Sequence, residues 1–326
     1  MKVGVIGLGS MGKRRIRLLK AAYPEYDIIG IDSREDRRTE VEEQFGITTL
    51  SDLEKAIDEY ELDAIVVSTG PLAHSGIIST ALKNNCHVFT EINLVTDGYD
   101  ENVRLSKQKN KVLFISSTPM YRKEIEYIGQ AVKNASKVNY IYHVGQYLPT
   151  WHVWESYKDF FVGNKRTNGC REIFAIELPW MIDTFGKVVE FSGTKGNMTT
   201  LDIDYADNYI LNVTHESGAK GSISFNVASI RAVRNLEIYG DDLYLQWNGT
   251  PDTLSVFDSD DNNMKKVELY ESVEKFSKQN ITVIEDAYTA ELVEFFDIIR
   301  NDSMPKHSFE KDKEILELID RFEQEL

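Results

Sequence analysis

The chain has 326 residues, a formal net charge of −16 at pH 7, 42% hydrophobic residues and two cysteines. We expect two domains, because a single hydrophobic core seldom grows beyond about 250–300 residues. The acidic charge argues against nucleic acid or an anionic membrane as a partner, and two cysteines provide no disulfide framework. The first strand does not resemble a signal peptide, and no apolar run is long enough to span a membrane, so we expect a cytoplasmic protein.

The first twelve residues predict a binding site for a dinucleotide. An apolar strand leads into the motif Gly-x-Gly-x-x-Gly at residues 7–12, and a helix follows over residues 10–22. The first glycine allows a tight turn, the second lets the backbone approach a diphosphate, and the third lets helix and strand pack closely. The helix N-terminus adds free N–H groups and a partial positive charge. The residues predicted to hold the diphosphate are Gly7, Gly9, Ser10, Met11 and Gly12.

A carboxylate ends the second predicted strand. Asp32 follows residues 28–31, twenty positions after Gly12, where this motif places a group for the adenosine ribose hydroxyls. A carboxylate repels the 2′-phosphate of NADP, so Asp32 favours NAD. NADP stays possible because three arginines follow, namely Arg34, Arg37 and Arg38, and Ser33 and Arg37 are assigned to the cofactor site. The alternative is a tight turn beside a solvated Asp32.

Strands and helices continue to alternate up to about residue 118. Ser51-Asp-Leu-Glu54 predicts a capping box at the start of a helix that runs through Ile57. Further strands are predicted at residues 63–69, 87–90 and 112–116. This alternation indicates an α/β fold with a parallel, doubly wound Rossmann sheet, and we place this domain at residues 1–119.

The pattern changes after a predicted helix at residues 124–132. Segments of period two, rich in β-branched and aromatic residues, predict strands at 138–147, 209–215, 221–227, 236–239 and 243–247. They indicate an α+β domain of residues 120–326 with a large, mainly antiparallel sheet. Two closing helices follow, and they could pack back on the first domain. An exposed face of such a sheet favours a homodimer or homotetramer.

With these elements assembled, the chain resembles the glucose–fructose oxidoreductase / inositol dehydrogenase / rhizopine catabolism (Gfo/Idh/MocA) family of NAD(P)-dependent sugar oxidoreductases. Besides the glycine motif and Asp32, Ser68-Thr-Gly-Pro-Leu-Ala-His74 is similar to the family's Thr-Pro-x-x-x-His loop beside the nicotinamide. Cys86-His-Val-Phe-Thr-Glu91 is similar to the strand that leads into its Glu-Lys-Pro motif. The resemblance implies cofactor contacts from Ser68, Thr69, His74, Glu91 and Asn93.

Two departures from the family bear on the chemistry. The Lys and Pro that should follow Glu91 are Ile92 and Asn93. The family's Asp-x-Gly-x-His-x-x-Asp segment aligns with residues 176–183, where Asp183 is kept as a substrate contact but Trp180 replaces the His and Ile176 the first Asp. Both usual proton-handling groups are therefore missing. Either other residues perform the chemistry, or none is performed.

One aromatic segment offers replacement groups. Residues 146–157 turn at a proline and combine a histidine with several aromatic side chains. We predict that His152 is the catalytic base, since imidazole titrates near neutrality. The predicted sugar contacts of this segment are Trp151, Trp154 and Tyr157. The alternative is that the tryptophans pin the loop to a core and His152 makes a structural hydrogen bond.

A second candidate lies on the following predicted helix. Glu177 stands in an otherwise apolar segment, where burial would raise its pKa and suit it to acid–base catalysis. Trp180 shares its helix face, and Arg171 could join them as an anion or hydroxyl contact, which would fit an acidic sugar. The alternative is a structural ion pair between Glu177 and Arg171.

The sequence thus predicts an NAD(H)-dependent oxidoreductase acting on a sugar or sugar derivative, possibly acidic, with a proton-transfer group that the family does not use. No His, Asp or Glu cluster has the spacing of metal ligands. The alternative function is a catalytically silent sensor or regulator that keeps the NAD(P) site. A third option is reduction with a proton taken from water.

Overall fold

The structure, a computed structural model, describes residues 1–153, 155–270 and 285–326. It divides the chain into two units, Met1–Thr118 with Asp286–Leu316, and Pro119–Glu285 with Glu317–Leu326. We call them the first and the second unit. The sequence analysis placed a domain boundary between residues 119 and 120. That boundary stays a prediction.

The first unit contains a parallel sheet with helices between successive strands. Its strands are β1 (Lys2–Ile6), β2 (Asp27–Ile31), β3 (Thr48–Leu50), β4 (Ala64–Val67), β5 (His87–Thr90) and β6 (Leu113–Ile115). Its helices are α1 (Ser10–Ala22), α2 (Glu35–Phe45), α3 (Leu53–Tyr60), α4 (Pro71–Lys83) and α5 (Tyr99–Lys109). The strand order is β3-β2-β1-β4-β5-β6, so the order reverses beside β1. Ligands of such sheets bind at this reversal, outside the carboxyl ends of the strands.

The predicted doubly wound sheet is confirmed. All four residues of β4 are buried, as is typical of a parallel strand that is covered on both faces. One local prediction is wrong, because Asp52 rather than Ser51 caps α3. The Asp52 carboxylate accepts the backbone N–H of Lys55 at 2.8 Å. Aspartate caps a helix as well as serine does, and the register of the turn selects it.

The second unit contains a mixed sheet of eight strands. Its strands are β7 (Val138–Gly145), β8 (Val188–Gly196), β9 (Asn208–His215), β10 (Lys220–Asn226), β11 (Val233–Gly240), β12 (Tyr244–Trp247), β13 (Ser255–Asp258) and β14 (Asn263–Lys266). The order is β14-β13-β12-β11-β7-β10-β9-β8. Among the strand pairs of this sheet in the described residues, only β7 with β10 is parallel. The predicted, mainly antiparallel sheet is therefore confirmed.

Helix α7 (Gly169–Phe185) packs against one face of this sheet. The helices of this part of the chain are α6 (Lys123–Asn134), α7 (Gly169–Phe185), α8 (Glu285–Asn301) and α9 (Phe309–Glu325), of which α8 falls almost wholly in the first unit and α9 contributes to both. On β7, Tyr140 and Tyr142 are buried and Tyr142 packs edge-on against Trp180 of α7. Phe174 of α7 packs against Phe225 of β10.

The other face of the sheet is rich in exposed apolar side chains. They are Ile141, Ile210, Tyr239 and Phe257, exposed by 49%, 51%, 40% and 39%. Strand pairing places all four on one face, because neighbouring residues along each strand point to the helices instead. None of the helices described in residues 1–153, 155–270 and 285–326 has the length and apolar character needed to cross a membrane.

Candidate functional site

The glycine turn of the first unit has the shape that a diphosphate needs. Gly7 has φ +90°, and a Cβ atom there would lie 2.6 Å from the carbonyl oxygen of Ser68. A Cβ at Gly12 would lie 1.9 Å from the carbonyl oxygen of Gly7. Above Gly9 the nearest atom to such a Cβ is the Arg37 guanidinium, at 3.8 Å. The two outer glycines therefore allow tight packing, and the middle one leaves its backbone open to a ligand.

Asp32 fixes this turn to the end of β2. Its Oδ2 accepts the backbone N–H of Leu8 at 2.8 Å, and its Oδ1 accepts that of Arg34 at 2.9 Å. A carboxylate has about four lone-pair sites, so Asp32 keeps acceptor capacity for hydroxyl donors. The Arg37 guanidinium lies 3.5 Å from Oδ2. Arg38 instead donates to the carbonyl oxygens of Asp32 and Ser33.

The loop after β4 is held by a buried histidine. His74 Nε2 lies 2.9 Å from the Thr69 carbonyl oxygen, and Nδ1 lies 2.6 Å from Asn93 Oδ1. Burial lowers the pKa of His74, which suits a structural group more than a base at neutral pH. Thr69 Oγ1 is buried and has no hydrogen-bond partner among the described residues. An orphaned hydroxyl at this edge of the sheet fits a site that a polar ligand completes.

Glu91 takes part in a buried ion-pair network that sequence analysis missed. Arg15 of α1 donates to both oxygens of Glu91, at 2.7 and 2.9 Å, and to Glu291 of α8 at 2.8 Å. Ser116 and Thr118 also donate to Glu291. Burial raises the pKa of Glu291, whereas the two carboxylates hold the pKa of Arg15 above its ordinary range despite burial. The predicted cofactor contact Glu91 is thus held in place by Arg15.

The aromatic segment of the second unit packs against the start of α7. Trp151 donates its indole N–H to the Gln146 carbonyl oxygen at 3.1 Å, and its Cη2 would lie 3.5 Å from a Cβ at Gly169. His152 Nδ1 lies 2.7 Å from Glu155 Oε1, so the carboxylate orients the ring. The Tyr157 hydroxyl accepts the backbone N–H of Asp202 at 3.3 Å. Trp154 lies outside the described residues.

Glu177 is buried, as expected, and it pairs with a different arginine from the one named in the structural alternative. Arg234 of β11 donates to Oε1 at 3.0 and 2.5 Å, while Tyr142 and Trp180 donate to Oε2 at 2.6 and 2.8 Å. Four N–H or O–H donors therefore surround this one carboxylate. Arg234 stands fifty-seven positions from Glu177, and no helical or strand spacing in the sequence signals such a pair.

Arg171 points to different carboxylates, so the alternative of a structural ion pair with Glu177 is wrong. It donates to Asp320 and Glu323 of α9, both at 2.6 Å. Residues 171 and 177 differ by six positions, which places them on different sides of a helix of 3.6 residues per turn. Trp180 is 1% exposed, so its predicted role as a sugar-stacking wall does not fit its burial. Asp183 is exposed on α7.

We expect that Glu177→Gln will destabilise the protein by about 2 kcal/mol, because the half-buried Arg234 loses its counter-charge. The measurement is the free energy of unfolding in urea. Asp183→Asn, at an exposed carboxylate of the same helix, should change it by less than about 0.5 kcal/mol. Equal free energies of unfolding for the two variants would show that the ion pair with Arg234 does not stabilise the protein.

The sequence that forms most of the first unit matches the model of a known family. Residues 1–117 match the model GFO_IDH_MocA, described as "Oxidoreductase family, NAD-binding Rossmann fold". This part of the chain is therefore similar to that family. The resemblance stated from the sequence is thereby confirmed. The open turn at Gly9, the Asp32 carboxylate and the orphaned Thr69 hydroxyl fit the NAD that this family binds.

Individual proteins are similar to this chain in sequence or in fold. A myo-inositol 2-dehydrogenase from Thermotoga maritima is 27% identical over 139 residues, and the match spans 42% of this chain and 42% of that protein. The fold of the whole chain is similar to a UDP-N-acetylglucosamine 3-dehydrogenase from Acidithiobacillus ferrooxidans, with a TM-score of 0.78, 17% identity and coverage of 99% and 96% of the two chains. It is also similar to the WlbA dehydrogenase from Bordetella pertussis in complex with NADH and UDP-GlcNAcA, with a TM-score of 0.79, 14% identity and coverage of 98% and 94%.

Proposed function

We propose that the protein is an NAD(H)-dependent oxidoreductase that acts on a hydroxyl-bearing carbon of a sugar or sugar derivative. The observation that supports this most strongly is the glycine turn, with its open backbone at Gly9 beside the Asp32 carboxylate. The relatives named above act on inositol or on a nucleotide sugar, which supports a polyhydroxylated substrate. Arg171 is paired with two carboxylates, so it does not add support for an acidic substrate. The suggestion that the sugar is acidic rests on the sequence alone.

The residues of this chain would hold the cofactor in defined ways. The backbone of residues 7–12 and the N-terminus of α1 would bind the diphosphate, and Asp32 would accept hydrogen bonds from the adenosine ribose. His74 keeps the Thr69 carbonyl in place, which leaves the Thr69 hydroxyl to donate or accept. When bound, the nicotinamide accepts or donates a hydride. The carboxylate of Asp32 favours NADH over NADPH, although Arg37 lies near enough to reduce that preference.

Proton transfer requires a group other than the family's Lys and His, because Ile92 and Trp180 stand at those positions. Of the two groups that the sequence suggests, Glu177 is bound by four donors and is poorly placed to exchange a proton. His152 is the other candidate, and Glu155 Oε1 lies 2.7 Å from its Nδ1, so the carboxylate orients the imidazole ring. We also propose that copies of the chain pair through the apolar outer face of the eight-stranded sheet, as a dimer or tetramer.

The experiment is a binding titration followed by turnover assays. We expect saturable quenching or enhancement of NADH fluorescence, weaker binding of NADPH, and reduction of NAD⁺ with myo-inositol, UDP-N-acetylglucosamine or UDP-GlcNAcA as the probe. NADH binding without turnover of any probe would favour the silent sensor. The loss of the usual Lys and His supports that alternative. Failure to bind either coenzyme would refute both functions.

A further inference from the structure

A row of buried polar side chains in the first unit ends at the loop that carries Thr69. Asp312, in the first turn of α9, accepts a hydrogen bond from the Tyr99 hydroxyl at 2.5 Å. The Tyr99 hydroxyl is also hydrogen-bonded to the Asn93 side chain, whose Oδ1 lies 2.6 Å from His74 Nδ1. His74 Nε2 lies 2.9 Å from the Thr69 carbonyl oxygen. The four side chains before Thr69 are each at most 4% exposed, so water does not compete for the contacts between them.

The carboxylate at the start of the row sets the direction of its hydrogen bonds. Asp312 Oδ1 lies 2.9 Å from His307 Nε2, and a carboxylate only accepts, so Tyr99 gives its single hydroxyl proton to Oδ2. The Tyr99 oxygen can then only accept, and it takes an N–H of the Asn93 amide. This turns Asn93 Oδ1 toward His74, and an amide oxygen also only accepts. His74 must therefore carry a proton on Nδ1.

The other end of the row has one proton too few. Burial lowers the pKa of His74, so its ring is neutral near neutral pH and carries a single N–H. With that proton on Nδ1, Nε2 and the Thr69 carbonyl oxygen are two acceptors in contact. A proton on Nε2 would move the mismatch to Asn93 and Tyr99, which are 3% and 4% exposed. An unmet hydrogen bond costs more there than at the partly exposed Thr69, which water or a ligand can reach.

Thr69 therefore offers two polar groups at the carboxyl edge of the parallel sheet. Its carbonyl oxygen receives no proton from His74, and its buried Oγ1 has no hydrogen-bond partner among the described residues. Strand β4, which precedes Thr69, lies on the other side of β1 from β2, which ends at Asp32. Because the proposed function places the adenosine at Asp32, the nicotinamide half extends across β1 toward this loop. Nicotinamide carries a primary amide, which has two N–H donors and one carbonyl acceptor.

We propose that Asp312, Tyr99 and Asn93 fix His74 as the Nδ1–H tautomer and thereby leave the Thr69 carbonyl oxygen to accept an N–H of the nicotinamide carboxamide. This deepens the NAD(H) binding proposed above and rests on it. The four buried side chains are positioning residues, because they act on the cofactor only through Thr69. Asn93 stands where the Gfo/Idh/MocA family has a proline. A proline side chain has no polar atom and could not connect Tyr99 with His74.

The first test reads the tautomer in the unliganded protein by ¹⁵N NMR with labelled histidine. The signals of His74, assigned by their loss in His74→Gln, should show a protonated Nδ1 and a bare Nε2 near neutral pH. Tyr99→Phe frees the Asn93 amide to turn and donate to Nδ1, so the proton should move to Nε2 and meet the Thr69 carbonyl. The matched variant Tyr60→Phe, at a partly exposed tyrosine of α3 in the same unit, should keep the proton on Nδ1.

The second test compares NADH with reduced 3-acetylpyridine adenine dinucleotide, in which a methyl ketone replaces the carboxamide and no amide N–H remains. The unaltered protein should bind NADH about tenfold more tightly, which is the effect of one hydrogen bond. In Tyr99→Phe the ratio should fall below about twofold, because the Thr69 carbonyl then accepts from His74. Tyr60→Phe should keep the ratio of the unaltered protein.

The outcomes separate this proposal from the proposed function. If NADH binds but the unaltered protein carries the His74 proton on Nε2, the row does not set the tautomer, and this proposal is overturned while the function stands. The same follows if the two coenzymes bind equally well, or if Tyr99→Phe and Tyr60→Phe give the same ratio. If neither coenzyme binds, the function and the carboxamide contact both fail. Should Tyr99→Phe not fold, the tautomer and the binding ratio of the unaltered protein still decide.

Discussion

Gly12→Ala is expected to abolish measurable NADH binding and to destabilise the protein by about 3 kcal/mol. The new Cβ would lie 1.9 Å from the Gly7 carbonyl oxygen, which is backbone and cannot rotate away. Helix α1 or the glycine turn must therefore move by an ångström or more. Because the proposed diphosphate site is formed by backbone groups of this turn, affinity should fall by on the order of 100-fold. Fluorescence titration with NADH and urea unfolding measure the two effects.

The matched control is Gly76→Ala on α4 of the same unit. Nothing lies within 4 Å of a Cβ at Gly76, so alanine meets no steric resistance there. Alanine is the better helix former, and the variant should be unchanged or more stable by up to about 1 kcal/mol. It should bind NADH as the unaltered protein does. If Gly12→Ala bound NADH with unaltered affinity, the turn would not be the diphosphate site.

The nucleotide-binding half of the fold was predictable because its determinants are local in sequence. A buried strand, three glycines and Asp32 lie within the first thirty-two residues. Each of them determines the conformation of the backbone next to it. The alternation of strands and helices then leaves few topologies for a parallel sheet. The capping residue of α3 differed by one position, which local propensity does not resolve because Ser51 and Asp52 are both good caps.

The ion pairs could not be predicted in the same way. Arg15 meets Glu91 and Glu291 from positions 76 and 276 residues away, and Glu177 meets Arg234. Such partners are set by tertiary packing rather than by helical or strand periodicity. The sequence correctly marked Glu177 as an acidic residue in an apolar segment. It suggested Arg171 as the ion-pair partner of Glu177 because that arginine is near in the chain.

The departures from the family's motifs have a structural counterpart in the first unit. Asn93, which replaces the usual proline, lies 2.6 Å from His74 and so helps to fix the loop that carries Thr69. Ile92 brings no polar group to replace the usual lysine. The first unit has therefore kept the residues that shape its cofactor site while giving up a proton-handling side chain.

Arg15→Met is expected to destabilise the protein by about 3–5 kcal/mol at pH 7, more than any other substitution considered for this chain. The Arg15 side chain is fully buried, and its removal leaves the buried carboxylate of Glu291 and the partly buried one of Glu91 without a cation. Methionine fills much of the volume but satisfies neither charge. Arg17→Met, at an exposed position of the same helix, should change stability by less than about 0.5 kcal/mol. Urea unfolding of both variants measures the difference.

The pH dependence of Arg15→Met identifies the cause of the loss. Burial raises the pKa of Glu291 and Arg15 opposes that effect, so removing Arg15 raises this pKa further. A carboxyl whose pKa is higher in the folded than in the unfolded state binds more protons when folded, and stability then falls as pH rises between the two values. The deficit of Arg15→Met should therefore be smaller at pH 5 than at pH 8. An equal deficit at both pH values would assign it to lost packing on Phe89, whose ring centre lies 4.6 Å from the guanidinium carbon, because that contact does not depend on the carboxyl protons.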